Sequence, residues 1–193
     1  GAPASARGQT NGEIQEAGIF NATAALGGIT QFDQAATGQL VLGGDMEVGA
    51  FDGLGTVDTG LYTLTVGTGG ANSSFGGTIS GNGGLTKTGG GDFTLGGDNS
   101  YAGQTLVSDG TLIVGVFGAI TGQVINNATF ESAGTLRGGL YNNAGGTARL
   151  RGQADGLIQN HGTVTLTGAI FGDGTFEQAS SGTFDLAGFN ATF

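Results

Sequence analysis

The residue types that most often carry catalysis are sparse in this chain. His161 is the only histidine, and there is no cysteine. Lying between Asn160 and Gly162, His161 has the chemistry of a general base but also the position of an exposed turn residue. A zinc site built on histidines needs more than one of them. We therefore interpret His161 as a turn residue.

Four carboxylates form an acidic cluster in one short stretch, at Asp45, Glu47, Asp52 and Asp58. Asp45 and Glu47 share a face if this run is a strand. Carboxylate oxygens bind Ca²⁺, but this ion takes about six to eight ligands. We favour a solvated acidic surface, which keeps a glycine-rich protein soluble.

Arg137, Arg149 and Arg151 are three of only five basic residues. When the internal repeats of the last third of the chain, described below, are aligned with each other, Arg137 and Arg151 fall at the same outward-facing position of adjacent repeats. Like charges on neighbouring strands are unfavourable, so they need an acidic neighbour, such as Glu131 or Asp155, or an anionic ligand. A locally paired surface cluster is the interpretation that we favour. The alternative is an anion-binding patch for a glycan or phosphate on a host or neighbouring cell.

No catalytic motif is present. The sequence lacks a serine in G-x-S-x-G, a G-x-G-x-x-G or phosphate-loop pattern, and the calcium repeat G-G-x-G-x-D. We therefore expect this fragment to be no enzyme, with no catalytic residue, no metal and no cofactor.

Composition excludes several classes of protein. Of 193 residues, 44 are glycine, against a usual share of ~7%. Without cysteine there is no disulfide framework, and five basic against fifteen acidic residues argue against nucleic-acid binding. The longest apolar stretch, counting glycine, is Leu112–Ile120, which is far shorter than the ~20 residues of a transmembrane helix. Gly1–Gln9 has no apolar core, so we expect an internal fragment if the parent protein is exported.

Internal repeats position most of these residues. In the last third of the chain, four segments carry corner anchors that are 16, 17 and 18 residues apart: Asn127, Asn143, Asn160 and Gln178. Each segment then has a leucine flanked mostly by polar residues, which is typical of a half-buried strand. These leucines are Leu136, Leu150, Leu166 and Leu186.

The pattern predicts an all-β, single-stranded β-solenoid. We expect these leucines to form one interior column and Asn127, Asn143 and Asn160 to form another at a corner, with about nine coils of ~20 residues. Residues 1–40 are predicted as an irregular segment or a cap, and residues 41–193 as the solenoid. Within it we distinguish residues 55–114 from residues 122–190, which form four coils of about 17 residues.

The stretch Gly77–Val114 resembles the autotransporter-associated β-strand repeat, also called the passenger-associated transport repeat. The family pattern is G-x-L-x-K-x-G-x-G-x-L-x-L-x-G-x-N-x-Y-x-G-x-T-x-V-x-x-G-x-L-x-V. Phe93 stands where the family usually has leucine, and Thr59–Gly81 is similar to the usual lead-in. The matching positions are Leu85, Lys87, Gly89, Gly91, Leu95, Gly97, Asn99, Tyr101, Gly103, Thr105, Val107, Gly110, Leu112 and Val114.

This resemblance implies a secreted passenger segment of a Gram-negative type V secretion protein, folded as a right-handed parallel β-helix. It implies an extracellular location at the bacterial outer-membrane surface and an outer-membrane barrel elsewhere in the parent chain. In the family, the repeat is associated with efficient secretion and passenger folding.

We therefore expect a non-enzymatic stalk or adhesive segment, an adhesin and virulence-type function, with a host-cell or cell-surface glycan or protein as partner. Two alternatives stay open. The segment is a scaffold for a catalytic domain outside this fragment, or it contacts a host receptor itself.

Overall fold

The computed structural model describes residues 4–193, and side chains from residue 12 onward. The described residues form strands, turns and no helix, so they include no helix able to cross a membrane. Short alternating runs become strands, and glycine-rich stretches become the corners between them. In chain order, the 23 strands are β1 (Ala4–Glu16), β2 (Ile19–Gln34), β3 (Gln39–Leu42), β4 (Met46–Gly53), β5 (Thr56–Asp58), β6 (Leu64–Val66), β7 (Ser73–Phe75), β8 (Thr78–Ser80), β9 (Leu85–Lys87), β10 (Asp92–Leu95), β11 (Asp98–Asn99), β12 (Thr105–Val107), β13 (Thr111–Val114), β14 (Ala119–Ile120), β15 (Val124–Asn126), β16 (Thr129–Ser132), β17 (Thr135–Leu136), β18 (Leu140–Asn142), β19 (Thr147–Ala154), β20 (Leu157–Asn160), β21 (Thr163–Phe171), β22 (Thr175–Gln178) and β23 (Thr183–Asp185).

The strands stack in parallel as a β-solenoid of about ten turns, which confirms the predicted fold class. Three faces run along the stack. The first contains β3, β5, β8, β11, β14 and β17, the second β6, β9, β12, β15, β18, β20 and β22, and the third β7, β10, β13, β16, β19, β21 and β23. Because stacked strands lie ~4.8 Å apart, ten turns give a stack on the order of 45 Å long.

One inward column shows how this register builds the core. Leu64, Leu85 and Thr105 are direct partners on three successive strands of the second face, and Val124 and Leu140 continue the column. All five side chains are buried. Each coil therefore covers the apolar side chains of the coil before it, which no single coil could do alone.

Aromatic side chains fill the core near the start of the stack. The rings of Phe20 and Phe32 lie 5.5 Å apart, those of Phe32 and Phe51 5.5 Å, and those of Phe51 and Phe75 4.7 Å. Such pairs contribute about 0.5–1.5 kcal/mol each beyond the area that they bury. The phenylalanines here therefore serve core packing.

A ladder of buried amides occupies another inward column of the second face. The Nδ2 of Asn126 donates to Oδ1 of Asn142 at 2.7 Å, and the Nδ2 of Asn142 donates to Oδ1 of Asn160 at 2.9 Å. The predicted column contained Asn127, Asn143 and Asn160. Asn127 and Asn143 do stack, since Nδ2 of Asn143 donates to Oδ1 of Asn127, but this pair is exposed and lies one residue out of register with the buried ladder. Successive residues of a strand face opposite sides, and an Asn-Asn doublet does not reveal which member faces inward.

The predicted leucine column is correct only for Leu150 and Leu166, which are direct partners on the third face. Leu136 pairs with Ala154 on the first face, and the side chain of Leu186 is 45% exposed. Each coil contains three strands, and a leucine between polar residues occurs on more than one of them. The period-2 pattern thus predicts burial but not the face.

Residues 4–34 form β1 and β2, which pair in parallel with each other along most of their length. β2 in turn pairs with β3 and β4, so this part of the chain continues the same sheet stack. Where we expected an irregular segment or a cap over residues 1–40, the described part has two long strands whose pairing contains several register shifts. The division into domains stays a prediction.

Candidate functional site

Lys87 lies inside the solenoid. On β9, Leu85 and Lys87 face inward and Thr86 faces outward, and the direct partners of Lys87 are Val66 and Val107. Its side chain is fully buried. An isolated ammonium group in an apolar interior costs several kcal/mol, so this position requires compensating contacts.

Backbone carbonyl groups of two coils supply those contacts. The Nζ of Lys87 donates to the carbonyl oxygens of Thr88 at 2.7 Å, Gly89 at 2.7 Å and Asp109 at 3.2 Å. Burial lowers the pKa of Lys87 below its ordinary value, while the charges of Asp109 and Asp92 act in the opposite direction. The three donors of the ammonium group are thereby matched to three acceptors.

Glycine is required at the corner around this ammonium group. Gly89 and Gly110 have φ angles of 65° and 67°, in the left-handed region. A Cβ at Gly89 would overlap the carbonyl oxygen of Gly67, and one at Gly110 would lie 2.7 Å from Nζ of Lys87. Space and backbone conformation thus both select glycine beside the lysine.

Asn99 joins three coils from the first face. Its Oδ1 accepts a hydrogen bond from the backbone N–H of Ile79 at 3.0 Å. Its Nδ2 donates to the carbonyl oxygens of Gly97 at 2.8 Å and Ala119 at 3.2 Å. Because Asn99 is fully buried, losing it would leave these backbone groups without partners.

After Lys87 and Asn99, Tyr101 and Thr105 form the third buried polar group of this stretch. Their hydroxyl groups are hydrogen-bonded to each other, and both side chains are fully buried. Burial raises the pKa of Tyr101 above its ordinary value. Like Lys87 and Asn99, this pair contacts no solvent and forms its hydrogen bond inside the solenoid.

These four side chains, which we call the buried polar set (Lys87, Asn99, Tyr101 and Thr105), lie within residues 85–114. That range matches the family described as Passenger-associated-transport-repeat. The chain carries a passenger-associated transport repeat. Proteins that carry this repeat are autotransporter passengers, and the family thus implies a secreted or cell-surface location. No curated protein and no solved structure matches the chain significantly.

The transport repeat was recognisable from its motif, but the burial of its polar residues was not. Lys87 and Thr105 occupy the alternating positions that Leu85 and Val107 also occupy. That alternation was the available signal, since it places a lysine on the inward face. Polarity alone would place the same side chain in solvent.

The three arginines do not lie together. Arg137 pairs with Asp98 through both terminal guanidinium nitrogens, one of them at 3.2 Å from Oδ2. This contact lies on the first face, so Arg137 and Arg151 do not share a column as predicted. The hydrogen bonds from Arg137 lower the pKa of Asp98. The prediction failed here for the same reason as for Leu136, which directly precedes Arg137: the alternating pattern does not show on which face of the coil a strand lies.

Arg149 and Arg151 line a groove of about 440 Å³ at the corner that follows the third face. Nη1 of Arg149 lies 2.9 Å from Oε1 of Glu131, its partner on the neighbouring strand. Glu131, which we expected beside Arg137 or Arg151, thus pairs with Arg149 instead. The groove is lined by Ile113, Val114, Gly115, Val116, Glu131, Ser132, Ala133, Arg149, Arg151 and Thr167.

His161 occupies a bend after β20 and is half-buried. Its backbone N–H donates to the carbonyl oxygen of Asn142 at 2.8 Å, and its ring lies 5.1 Å from the ring of Tyr141. These contacts agree with a turn residue. Within the described part of the chain, no group of three or more His, Asp or Glu side chains is arranged to hold a metal ion.

The acidic cluster binds backbone groups. Oδ1 of Asp45 accepts the N–H of Thr63 at 2.8 Å, and Oδ1 of Asp52 accepts the N–H of Ser74 at 2.7 Å. Asp58 accepts the N–H of Gly60 at 2.9 Å. The carboxylates thus satisfy donors at corners and strand edges, which is a structural use of their charge.

Proposed function

We propose that this chain is a non-enzymatic stalk or adhesive segment of a secreted autotransporter passenger, displayed at the surface of a Gram-negative bacterium. In this proposal a barrel elsewhere in the parent chain carries it across the outer membrane. The transport repeat supports passenger folding and secretion. The observation that carries the proposal is that Lys87 and Asn99, two members of the buried polar set, complete their hydrogen bonds only with neighbouring coils.

Lys87 and Asn99 both need a later coil. Lys87 finds two acceptors beside itself, on Thr88 and Gly89, but its third acceptor is Asp109 in the next coil. Asn99 likewise needs Ala119. A coil that ends at this lysine is therefore unfinished until the next coil stacks on it, and then gains charge-assisted hydrogen bonds.

This dependence favours folding in one direction. Each completed coil offers a row of unpaired backbone groups, which the next segment pairs in parallel. Burying a lysine that only a correct neighbour can satisfy adds a penalty for stacking in the wrong register. A chain that emerges segment by segment can therefore add coils in order without enclosing a mismatched one.

The proposal is tested by Lys87→Ala in the parent passenger and in this 193-residue chain. We expect the substitution to lower the free energy of unfolding by about 3 kcal/mol, because it leaves a cavity and three carbonyl groups without a donor. We also expect less passenger at the cell surface. Urea denaturation and quantitative surface labelling measure the two effects.

Thr86→Ala is the matched control, since Thr86 is the neighbouring residue on the outward face of β9. It should change stability by less than about 0.5 kcal/mol and leave surface display unchanged. If Lys87→Ala destabilises the chain but the passenger reaches the surface at the normal level, the proposed role of the repeat in secretion is wrong.

A further inference from the structure

Arg149 and Arg151 lie two residues apart on β19 and both are exposed. Alternation along the strand places their side chains on the same outward face. Their guanidinium groups therefore border one groove, where only one acidic side chain, Glu131, is among the lining residues.

Arg151 is unusual among the cations whose side chains the structure describes. Lys87 is bound to three carbonyl groups, Arg137 to Asp98, and Arg149 to Glu131. Over residues 12–193, Arg151 alone among these cations has neither an ion pair nor a hydrogen bond from its guanidinium group. Because acidic residues outnumber basic ones in this protein, whose net charge is −10, an arginine without an acidic partner is unusual and marks this groove as a candidate site for an anion.

The surroundings of Arg151 leave its side chain room. A Cβ at Gly168, in the following coil, would contact the aliphatic stem of Arg151 at 3.0 to 3.7 Å. Thr167 adds a hydroxyl group to the same end of the groove. The glycine therefore lets the arginine lie along the surface with its five donors free.

The other end of the groove is apolar. Val116 lines it and is 59% exposed, and the adjacent Phe117 is 89% exposed at the tip of the loop. Ile113 lines the wall between this loop and Glu131. A groove with an exposed apolar side chain at one end and an unpaired arginine at the other is suited to a ligand that has both apolar faces and anionic groups.

We propose that this groove, the Arg149–Arg151 groove, binds a segment of an acidic polysaccharide. The guanidinium groups hold a carboxylate or sulfate group of the sugar chain, in the fork geometry that arginine offers to such anions. Phe117 and Val116 pack against the apolar face of a neighbouring sugar ring. The groove crosses four coils, which at ~4.8 Å per coil suits an extended chain better than a single small anion. Access to such a ligand rests on the proposed surface location.

The test is titration calorimetry of the 193-residue chain with heparin, which carries sulfate and carboxylate, and with polygalacturonate, which carries carboxylate alone. Neutral dextran and polyglutamate are the comparison ligands. We expect binding of at least one acidic polysaccharide, which weakens as salt is raised. Dextran and polyglutamate should bind at least about tenfold more weakly, since dextran lacks the anionic groups and polyglutamate lacks the sugar rings.

Arg151→Ala should weaken binding by about tenfold or more, the value of a charge-assisted hydrogen bond. Phe117→Ala should weaken it by about threefold or more. Arg137→Ala is the matched control, because it removes an equal charge from an exposed site on the first face. It should change affinity by less than about twofold, and circular dichroism melting should show all three variants folded.

Three results would overturn the inference: neither acidic polysaccharide binds the folded chain, polyglutamate binds as tightly as the better polysaccharide, or Arg137→Ala weakens binding as much as Arg151→Ala. Surface display separates this inference from the proposed function. If Arg151→Ala passengers are displayed normally while none of these ligands binds, the groove is not a polysaccharide site and the proposed secretory role of the repeat stands.

Discussion

The ammonium group of Lys87 lies in a column that Val66 and Val107 occupy in the adjacent coils. Its interior position is tolerable because carbonyl groups, rather than a carboxylate, surround it within hydrogen-bond distance. Carbonyl oxygens at a corner would otherwise face the core without donors. The lysine and the corner thus satisfy each other, which gives a physical reason for a lysine at this motif position.

The pKa shifts of Lys87 and Tyr101 predict that the stability of the fold changes with pH in opposite directions. Burial lowers the pKa of Lys87 below its ordinary 10.5, so between the two values the unfolded chain binds more protons and stability rises with pH. Burial raises the pKa of Tyr101 above its ordinary 10.0, so above that pH the unfolded chain loses a proton that the folded chain keeps. Urea denaturation should show the free energy of unfolding rising towards about pH 10 and falling beyond it.

Single variants separate the two slopes. Lys87→Met should remove the rise, because methionine does not titrate, and Tyr101→Phe should remove the fall. Both replacements keep most of the side-chain volume, so each variant should fold. A fall above pH 10 of equal size in Tyr101→Phe would show that the buried tyrosine is not its source.

At the scale of the element, the corners are more demanding than the strands. A strand position accepts any side chain of suitable size and polarity, since only one face is packed. The corner residue Gly89 has both a left-handed backbone and another coil in contact. Glycine is therefore required at some of the corners between strands and can be replaced at others.

Gly89→Ala and Gly90→Ala should differ sharply although the residues are adjacent. A Cβ at Gly89 would overlap backbone atoms of Gly67, whereas one at Gly90 would meet nothing within 4 Å. We expect Gly89→Ala to lower the free energy of unfolding by about 3 kcal/mol and Gly90→Ala by less than about 1 kcal/mol. Equal effects in urea denaturation would mean that the corner relaxes to accept a side chain.

At the scale of the whole molecule, the core is a set of columns that run the length of the stack. Leu85 and Phe93 in the transport repeat are buried, whereas Phe176 and Phe184 near the end of the described chain are only partly buried. In a solenoid each coil is stabilised mainly by its neighbours. Protection should therefore vary along the stack.

Hydrogen exchange should report this gradient. We expect backbone amides of β9 to β13 to exchange at least about tenfold more slowly than those of β22 and β23, because the latter strands lie beside partly covered core residues. Mass spectrometry of peptic fragments gives the comparison within one sample. Uniform protection from β9 to β23 would show a single cooperative unit instead of a stack of coupled coils.

The sequence by itself determined the fold class and the repeat. Alternating runs such as Asp92–Leu95, bounded by glycine, are sufficient to predict strands with one buried face. The motif from Leu85 to Val114 is local and continuous, so its spacing is readable without any fold. The pairing of Arg149 with Glu131 was also within reach, since both lie in neighbouring repeats.

The tertiary structure alone decided the register and the faces. Asn126 and Asn127 are chemically identical, and only stacking shows that the first is buried in the amide ladder. Likewise, Arg137 lies beside Asp98 because the coils bring together residues 39 positions apart. A shift of one residue moves every side chain of a strand to the opposite face without changing the strand's own conformation. The register is therefore fixed only when neighbouring coils stack and bury their inward side chains against each other.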